Sequence, residues 1–463
     1  MKRFFCHLFF SLTIFSLHAD NQTTDLSPVG NETSLPFSVE IELASFSLPT
    51  GIQAFASAVY KDQWIFVAGR TNGLHAFDDV GNNFPPNFQN KIIYVIDPST
   101  GGVLSRSLED PTARLTQEQI DILSVTKSQF FQKGDKLYIV GGYGINTTSG
   151  EMETKTALTE IDLKKLVKWV KSGKPSLRSC IRQAFHPYLQ VTGGALYQDS
   201  DHNPFLLALG QNFAGLYHDS SNGVYTQQIR AFNLVDKNNK LSIIPKELST
   251  TNPDYRRRDL NVVPVIINNK PGYIALSGVF TLTDGVWTVP IFISPDGKSS
   301  EPDPLSAGTF KQAMNNYNCP VIGLYSAHSK DMYMLLPGGI SYGFFSGGVF
   351  QTDNEFPFIN QVTTIKIDKK KRCSQYLMNN EYPYIVSTGT NPGNQLLFGA
   401  EAQFFPADVD LFRNGVIRLD KIKSPTVIGY IAGGIMSTLP NTNTRFDTTA
   451  SPYVFLVRLI PRQ

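Results

Sequence analysis

Six times along this chain a short alternating apolar strand runs into glycine and turns, and that recurrence leaves few folds open. The plainest copy is KLYIVGGYG, from Lys136 to Gly144. The others are WIFVAGR from Trp64, FLLALGQNF from Phe205, YIALSGVF from Tyr273, MYMLLPGGIS from Met332 and VIGYIAGGIMS from Val427. Counted from Gly69 through Gly141, Gly210, Gly278 and Gly338 to Gly433, the steps are 72, 69, 68, 60 and 95 residues. Four strands and their turns need only about 40–50 residues, so every unit carries long loops.

The units also share an order of signals. An inner strand precedes the glycine-ended strand, and a third strand follows that often closes on Asp and a turn, as in KIIYVIDPSTG (Lys91 to Gly101) and VPIFISPDG (Val289 to Gly297). A fourth strand comes after the turn. This order predicts an all-β fold, a six-bladed β-propeller of four-stranded antiparallel blades. The last unit ends on its third strand, Val454 to Ile460, while Phe37 to Leu48 alternates like a strand with no unit of its own. That N-terminal strand is expected to join the last blade and close the ring, hiding the sheet edges. LKKLVKWVK, Lys164 to Lys171 at its charged core, has helical spacing and reads as either a fourth strand or a short helix.

Glycine doublets after an apolar strand, intact at Gly141-Gly142, Gly338-Gly339 and Gly433-Gly434, resemble kelch repeats, and six units resemble a six-bladed kelch-type propeller. The resemblance covers nearly the whole chain after its leader. Its six-bladed members include secreted sialic-acid mutarotases. Its seven-bladed relatives include copper-radical oxidases, whose ligand set has no counterpart in these residues. The doublet itself reads as structural, giving the backbone room to pass close to its neighbours.

The first residues read as an export signal: Lys2 and Arg3, an apolar run from Phe4 to Leu17 too short to span a bilayer, and Ala19 at the cut. The expected organisation is therefore a signal peptide over 1–19, a flexible leader over 20–36 and a single propeller domain over 37–463. A secreted or periplasmic protein with no membrane insertion after cleavage is the expectation. Removing Lys2 and Arg3 from the 41 basic residues leaves 39 against 39 acidic ones, a balance that argues against nucleic acid as a partner. Cys180, Cys319 and Cys373 match no zinc spacing; an oxidising compartment permits one disulfide and a spare thiol, and three reduced thiols are the other reading.

In an up-and-down blade, the connections from second to third strand and from fourth strand to the next blade leave from one end, so their polar residues converge at the channel mouth. On these loops lie Arg70, Asn72 and His75, the run Arg256-Arg257-Arg258, Asn316 with Tyr317, and Glu401. The candidate ligand-binding set is Arg70, Asn72, His75, Arg257, Arg258, Asn316 and Tyr317, with guanidinium forks suited to a carboxylate or another planar anion. Glu401 and His75 are the candidate proton-transfer groups. His186, His202, His218 and His328 form no paired metal motif with His75, and no cofactor motif appears, so neither metal nor cofactor is expected. The functional expectation is a secreted binding module whose loop face takes a glycan, a small polar ligand or a protein. The alternative, which follows from the resemblance, is an enzyme of the mutarotase or epimerase kind acting on a small polar sugar acid.

Overall fold

Alternating strands bury one face each, and here they do so in sheets arranged around an axis. The computed structural model describes residues 25–76, 83–217, 223–246, 250–442, 444 and 446–462. The export-signal reading of 1–19 lies outside these residues, as does His218.

Four consecutive sheets have four antiparallel strands in chain order. They start at Ala56–Tyr60, Gln129–Lys133, Ala195–Tyr197 and Asn261–Ile267, which form their inner strands. A fifth four-stranded sheet runs Gln403–Pro406, Thr426–Ala432, Val454–Pro461 and then Phe37–Leu43. The N-terminal strand thus pairs antiparallel with the last one, from Phe37 opposite Pro461 to Leu43 opposite Phe455. The ring is closed by joining the two ends of the described chain.

The structure has five four-stranded blades, not the six expected. Between the fourth and the closing blade stands a broader, six-stranded sheet. Its centre is antiparallel: Ile322–Ser326, Asp331–Ile340, Phe358–Ile367 and Cys373–Leu377. Both of its edges are extended in parallel, by Val29–Asn31 on one side and Ile417–Arg418 on the other. Part of the stretch expected to be a flexible leader is therefore ordered. Glu32 is buried and pairs with Arg462 at 2.5 Å, and its carboxylate also accepts from the Asn379 side chain at 2.8 Å. Too few apolar residues were present there to signal a strand; a backbone ladder and an ion pair hold it instead.

Each junction between neighbouring sheets has its own apolar cluster. Trp64 and Phe66 of the first blade meet Phe405 of the last, with Trp64 stacked on Phe405 at 4.5 Å. Leu206 and Ala231 meet Val262 and Ala275 at the junction of the third and fourth blades, and Val265 and Leu276 meet Met334 and Ile365 beyond that. Each fully buried large side chain contributes about 1.5–3 kcal/mol, so sheet faces rather than loops hold the ring. Among the described residues there are two α-helices. Leu163–Ser172 settles the open reading at Lys164 to Lys171: Asp162 caps it, Gly173 ends it in the left-handed conformation, and Trp169 is buried. Gln117–Leu123 was not expected, although Thr116 and Gln119 form the capping box that announces it.

The glycine-ended strands all finish in the same way. Two successive residues adopt positive φ: Ala68-Gly69, Gly141-Gly142, Leu209-Gly210, Ser277-Gly278, Gly338-Gly339 and Gly433-Gly434. In five of these pairs the second glycine's N–H donates to a carbonyl just ahead of the next sheet: Gly69 to Val125, Gly142 to Val191, Gly210 to Arg257, Gly339 to Phe398 and Gly434 to Ile52, at 2.8–2.9 Å. Where the first residue is also glycine, the next sheet explains it. A Cβ on Gly141 would lie 2.0 Å from the Val191 carbonyl oxygen, on Gly338 2.5 Å from that of Phe398, and on Gly433 2.6 Å from that of Ile52.

A paired substitution tests this seam. Gly134 also has positive φ but open space around it, so Gly134→Ala is expected to cost about 1 kcal/mol of backbone strain. Gly141→Ala adds a collision with backbone and should cost about 3 kcal/mol or more in urea unfolding. Equal losses at the two positions would show that the seam is not under this constraint.

Candidate functional site

Just ahead of each inner strand the chain makes one residue of left-handed turn. These residues are Ala54, Lys127, Gly193, Asp259, Asn318 and Glu401, with φ between 49° and 68°. Backbone bonds run from one to the next around the axis: Lys127 N–H to Ala54, Gly193 to Lys127, Asp259 to Gly193, Glu401 to Asn318 and Ala54 to Glu401, at 2.7–3.3 Å. The result is a collar across the channel. Below it lies a chamber of about 400 Å³ walled by the inner strands; above it lies a cup, also of about 400 Å³, walled by the loops. Asn318 and Glu401 line both.

Hairpins grow out of four of the second-to-third-strand connections, and one of them contributes Ile435 to the cup wall. They pair Tyr143–Asn146 with Glu151–Thr154, Gln211–Asn212 with Val224–Tyr225, Gly343–Ser346 with Val349–Thr352, and Ile435–Ser437 with Thr448–Ala450. Aromatic rings face inward from this wall. His75 sits against Phe84 and Tyr217, each with its ring centre 4.7 Å away, and Phe356 lies 6.1 Å from Phe280 and 6.5 Å from Tyr317.

The floor of the cup carries charge. Lys127 Nζ lies 2.6 Å from an Asp259 oxygen and 2.6 Å from Glu401 Oε1. Glu401 Oε1 is buried, and Lys127 is its charged partner among the described residues. The two carboxylates diverge in proton affinity. Burial raises the Glu401 carboxyl above its ordinary value, and Lys127 only partly offsets this. Burial acts on Asp259 too, but Lys127 and Arg258 together outweigh it and hold that carboxyl below the usual range. Lys127, despite burial, is kept charged by its two partners.

Four of the expected residues line this cup: His75, Arg258, Tyr317 and Glu401. Arg258 is extensively engaged. It donates to the hydroxyls of Tyr225 and Tyr217 at 3.0 and 2.9 Å, pairs with Asp259 at 3.4 Å, and lies over the rings of Tyr217 and Phe280. His75 is neutral: burial drives its pKa down to about 3, and Nδ1 lies 2.8 Å from the Ala76 carbonyl. Burial likewise raises the Tyr317 hydroxyl's pKa.

The other four lie away from the cup lining. Arg70 is 1 % exposed, donates to Asn72 Oδ1 at 2.9 Å and covers the outer ring of Phe84 at 5.0 Å; burial lowers its pKa to about 10. Asn72 thus serves as the local acceptor for that buried guanidinium. Arg257 is fully buried in an ion pair with Glu301, donates to the Val289 carbonyl at 2.7 Å and lies over Trp287. Asn316 ties backbone together, donating to the Gly338 carbonyl at 2.8 Å and accepting from Thr363. Lys127 and Asp259 were not singled out as ligand or catalytic residues. Both stand two residues ahead of an inner strand, as Glu401 does, but their distances to the strand-end glycines differ, so the glycine spacing does not reveal the column.

The three cysteines are unpaired, and burial raises Cys180 to about 11 and Cys373 to about 12. Among the described residues no group of three or more His, Cys, Asp or Glu side chains is placed to hold a metal ion, and no helix is long and apolar enough to cross a membrane. The sheets define an all-β propeller with a loop-walled cup on its axis. No family model and no curated protein matches the chain. Among solved structures it is similar to one titled "Structure of YjhT", at 10% identity and a TM-score of 0.46, with 89% of this chain and 98% of that chain covered.

The floor makes two predictions. Lys127→Met strands Glu401 and leaves Asp259 to Arg258 alone, and should cost about 3 kcal/mol in denaturant unfolding; a loss under about 0.5 kcal/mol, as for an exposed pair, would mean that the cluster is not coupled. The raised Glu401 carboxyl takes up its proton more readily in the folded state, so folding gains stability as pH falls through its folded pKa towards the unfolded value of 4.5. Asp259 acts in the opposite sense, its contribution being lost only below the ordinary 3.8. Wild type should therefore gain stability relative to Glu401→Gln as pH is lowered towards 4.5, and a constant difference would count against a raised Glu401.

Proposed function

We propose that this protein is a secreted binding module that takes a small polar ligand, in the first place a glycan, into the axial cup. The cup itself carries the reading. Its volume of about 400 Å³ falls in the range of roughly 300–1,000 Å³ usual for small-molecule sites. Ring faces at Phe280, Tyr317 and Phe356 suit the apolar faces of a sugar, and the Lys127, Asp259 and Glu401 cluster supplies charged groups to orient hydroxyls. Six pairs of left-handed residues at the strand ends support a kelch-type propeller in which the broad mixed sheet counts as the sixth unit. The Lys-Arg start and apolar run support export to the periplasm or beyond the cell.

A second reading, an enzyme of the mutarotase or epimerase kind, is favoured by one observation. Asp259 and Glu401 share Lys127 while their proton affinities are pushed apart, the condition under which one carboxyl serves as acid and the other as base. His75, held neutral at ordinary pH, is the weaker proton-transfer candidate.

A glycan array followed by thermal shift tests the first reading. A ligand that raises the melting temperature of wild type should lose at least about tenfold in affinity in Phe356→Ala, with the loss of ring contact. Unchanged affinity would place binding elsewhere. If the bound sugar also exchanges anomers faster with protein, Glu401→Gln should slow that exchange by about 100-fold.

A further inference from the structure

Every described cation that lines the cup is already engaged by the protein. Lys127 bridges Asp259 and Glu401, each at 2.6 Å. Arg258 is held by Asp259 and two tyrosine hydroxyls, with rings 5.4 and 5.2 Å from its guanidinium carbon. The carboxylates are more numerous: Asp259, Asp284, Glu355 and Glu401 line the same space. Leaving Asp284 aside, three still face two cations. Glu355 is exposed and its carboxylate makes no ion pair or hydrogen bond among the described residues, and Glu401 meets Lys127 through Oε1 while its Oε2 has no ion pair or hydrogen bond among them.

An anion entering the cup would have to displace a carboxylate from Lys127 or Arg258, in a site where burial strengthens each such pair. A cation meets carboxylates with spare acceptor capacity. It also meets a suitable wall. Glu355 is followed directly by Phe356, whose ring stands with those of Phe280 and Tyr317. Such rings attract a cation placed over their faces.

We infer that the ligand of the cup carries a protonated amine, received by the carboxylates of Glu355 and Glu401 and by the Phe280, Tyr317 and Phe356 wall. This rests on the binding reading above and narrows it from polar ligands in general to amino sugars and comparable amines. It departs from the planar anion that the arginine run implied.

The test uses three hexoses that differ in charge: glucosamine, glucose and glucuronic acid, titrated calorimetrically into the full chain at about pH 7, where the amine is mostly protonated, the acid ionised and Glu401 holds its proton less than at lower pH. Glucosamine should bind at least about tenfold tighter than glucose, with glucuronic acid weakest. Glu355→Gln, at an exposed position, should shrink the glucosamine preference about fivefold without loss of glucose binding, and added salt should shrink it too. Equal binding of glucose and glucosamine would overturn the amine and leave the binding module standing. Tighter binding of glucuronic acid would overturn it by sign, as would a preference that survives unchanged in both Glu355→Gln and Glu401→Gln. Failure of all three sugars to bind would remove this inference together with the glycan reading beneath it.

Discussion

One backbone hydrogen bond, repeated at the seams of the ring, sets the geometry of everything above the sheets. At the end of its second strand the chain takes two residues of left-handed turn, and the second of them donates to a carbonyl of the neighbouring sheet. The acceptors are not arbitrary positions. Val125 stands two residues before Lys127, Arg257 two before Asp259, and Phe398 three before Glu401. A bond that stitches sheet to sheet therefore also fixes where the collar residues stand, and with them the charge cluster. Packing supplies the energy of the ring, but this bond supplies its register.

The collar shows how a propeller can hold charge in a nearly closed axis. Two carboxylates beside each other would repel, and each would lose solvation; a single ammonium between them answers both problems in part. The residual imbalance falls on Glu401, whose carboxyl burial raises more than Lys127 lowers it. A buried cluster of this type adds little to stability compared with an apolar replacement, so its presence directs attention to the cavity it faces. That cavity has its charges at the bottom and its rings on the wall, so a ligand is oriented before it is held.

Much of this was legible in the residues, and the failures have physical causes. The order of strand signals carried the propeller, and the orphan alternation at Phe37 carried the closure, because apolar periodicity reports burial directly. The mixed sheet was not legible: Val29–Asn31 and Ile417–Arg418 are short and held by backbone pairing that leaves no apolar pattern. At the site, loop position brought His75, Arg258, Tyr317 and Glu401 to notice. It also brought Arg70 and Arg257, because a charge at a strand end looks the same in sequence whether it faces a cavity or a neighbouring carbonyl. Lys127 carried a charge in an ordinary-looking SVTKSQF, and only its place two residues ahead of an inner strand, shared with Asp259 and Glu401, gives it meaning.

The pairing of Phe37–Leu43 with Val454–Pro461 has a consequence for biosynthesis. Phe37–Leu43 waits for a partner about 410 residues further along the chain, at roughly 5–20 residues per second a delay on the order of tens of seconds. Until then the closing blade lacks an edge, and the ion pair of Glu32 with Arg462 cannot form. A chain stopped short of Val454 would leave the seam open and its apolar faces wet. The architecture thereby couples the folded state to synthesis of Val454–Pro461, so that products truncated before it carry an exposed edge by which cellular quality control can tell them from closed rings.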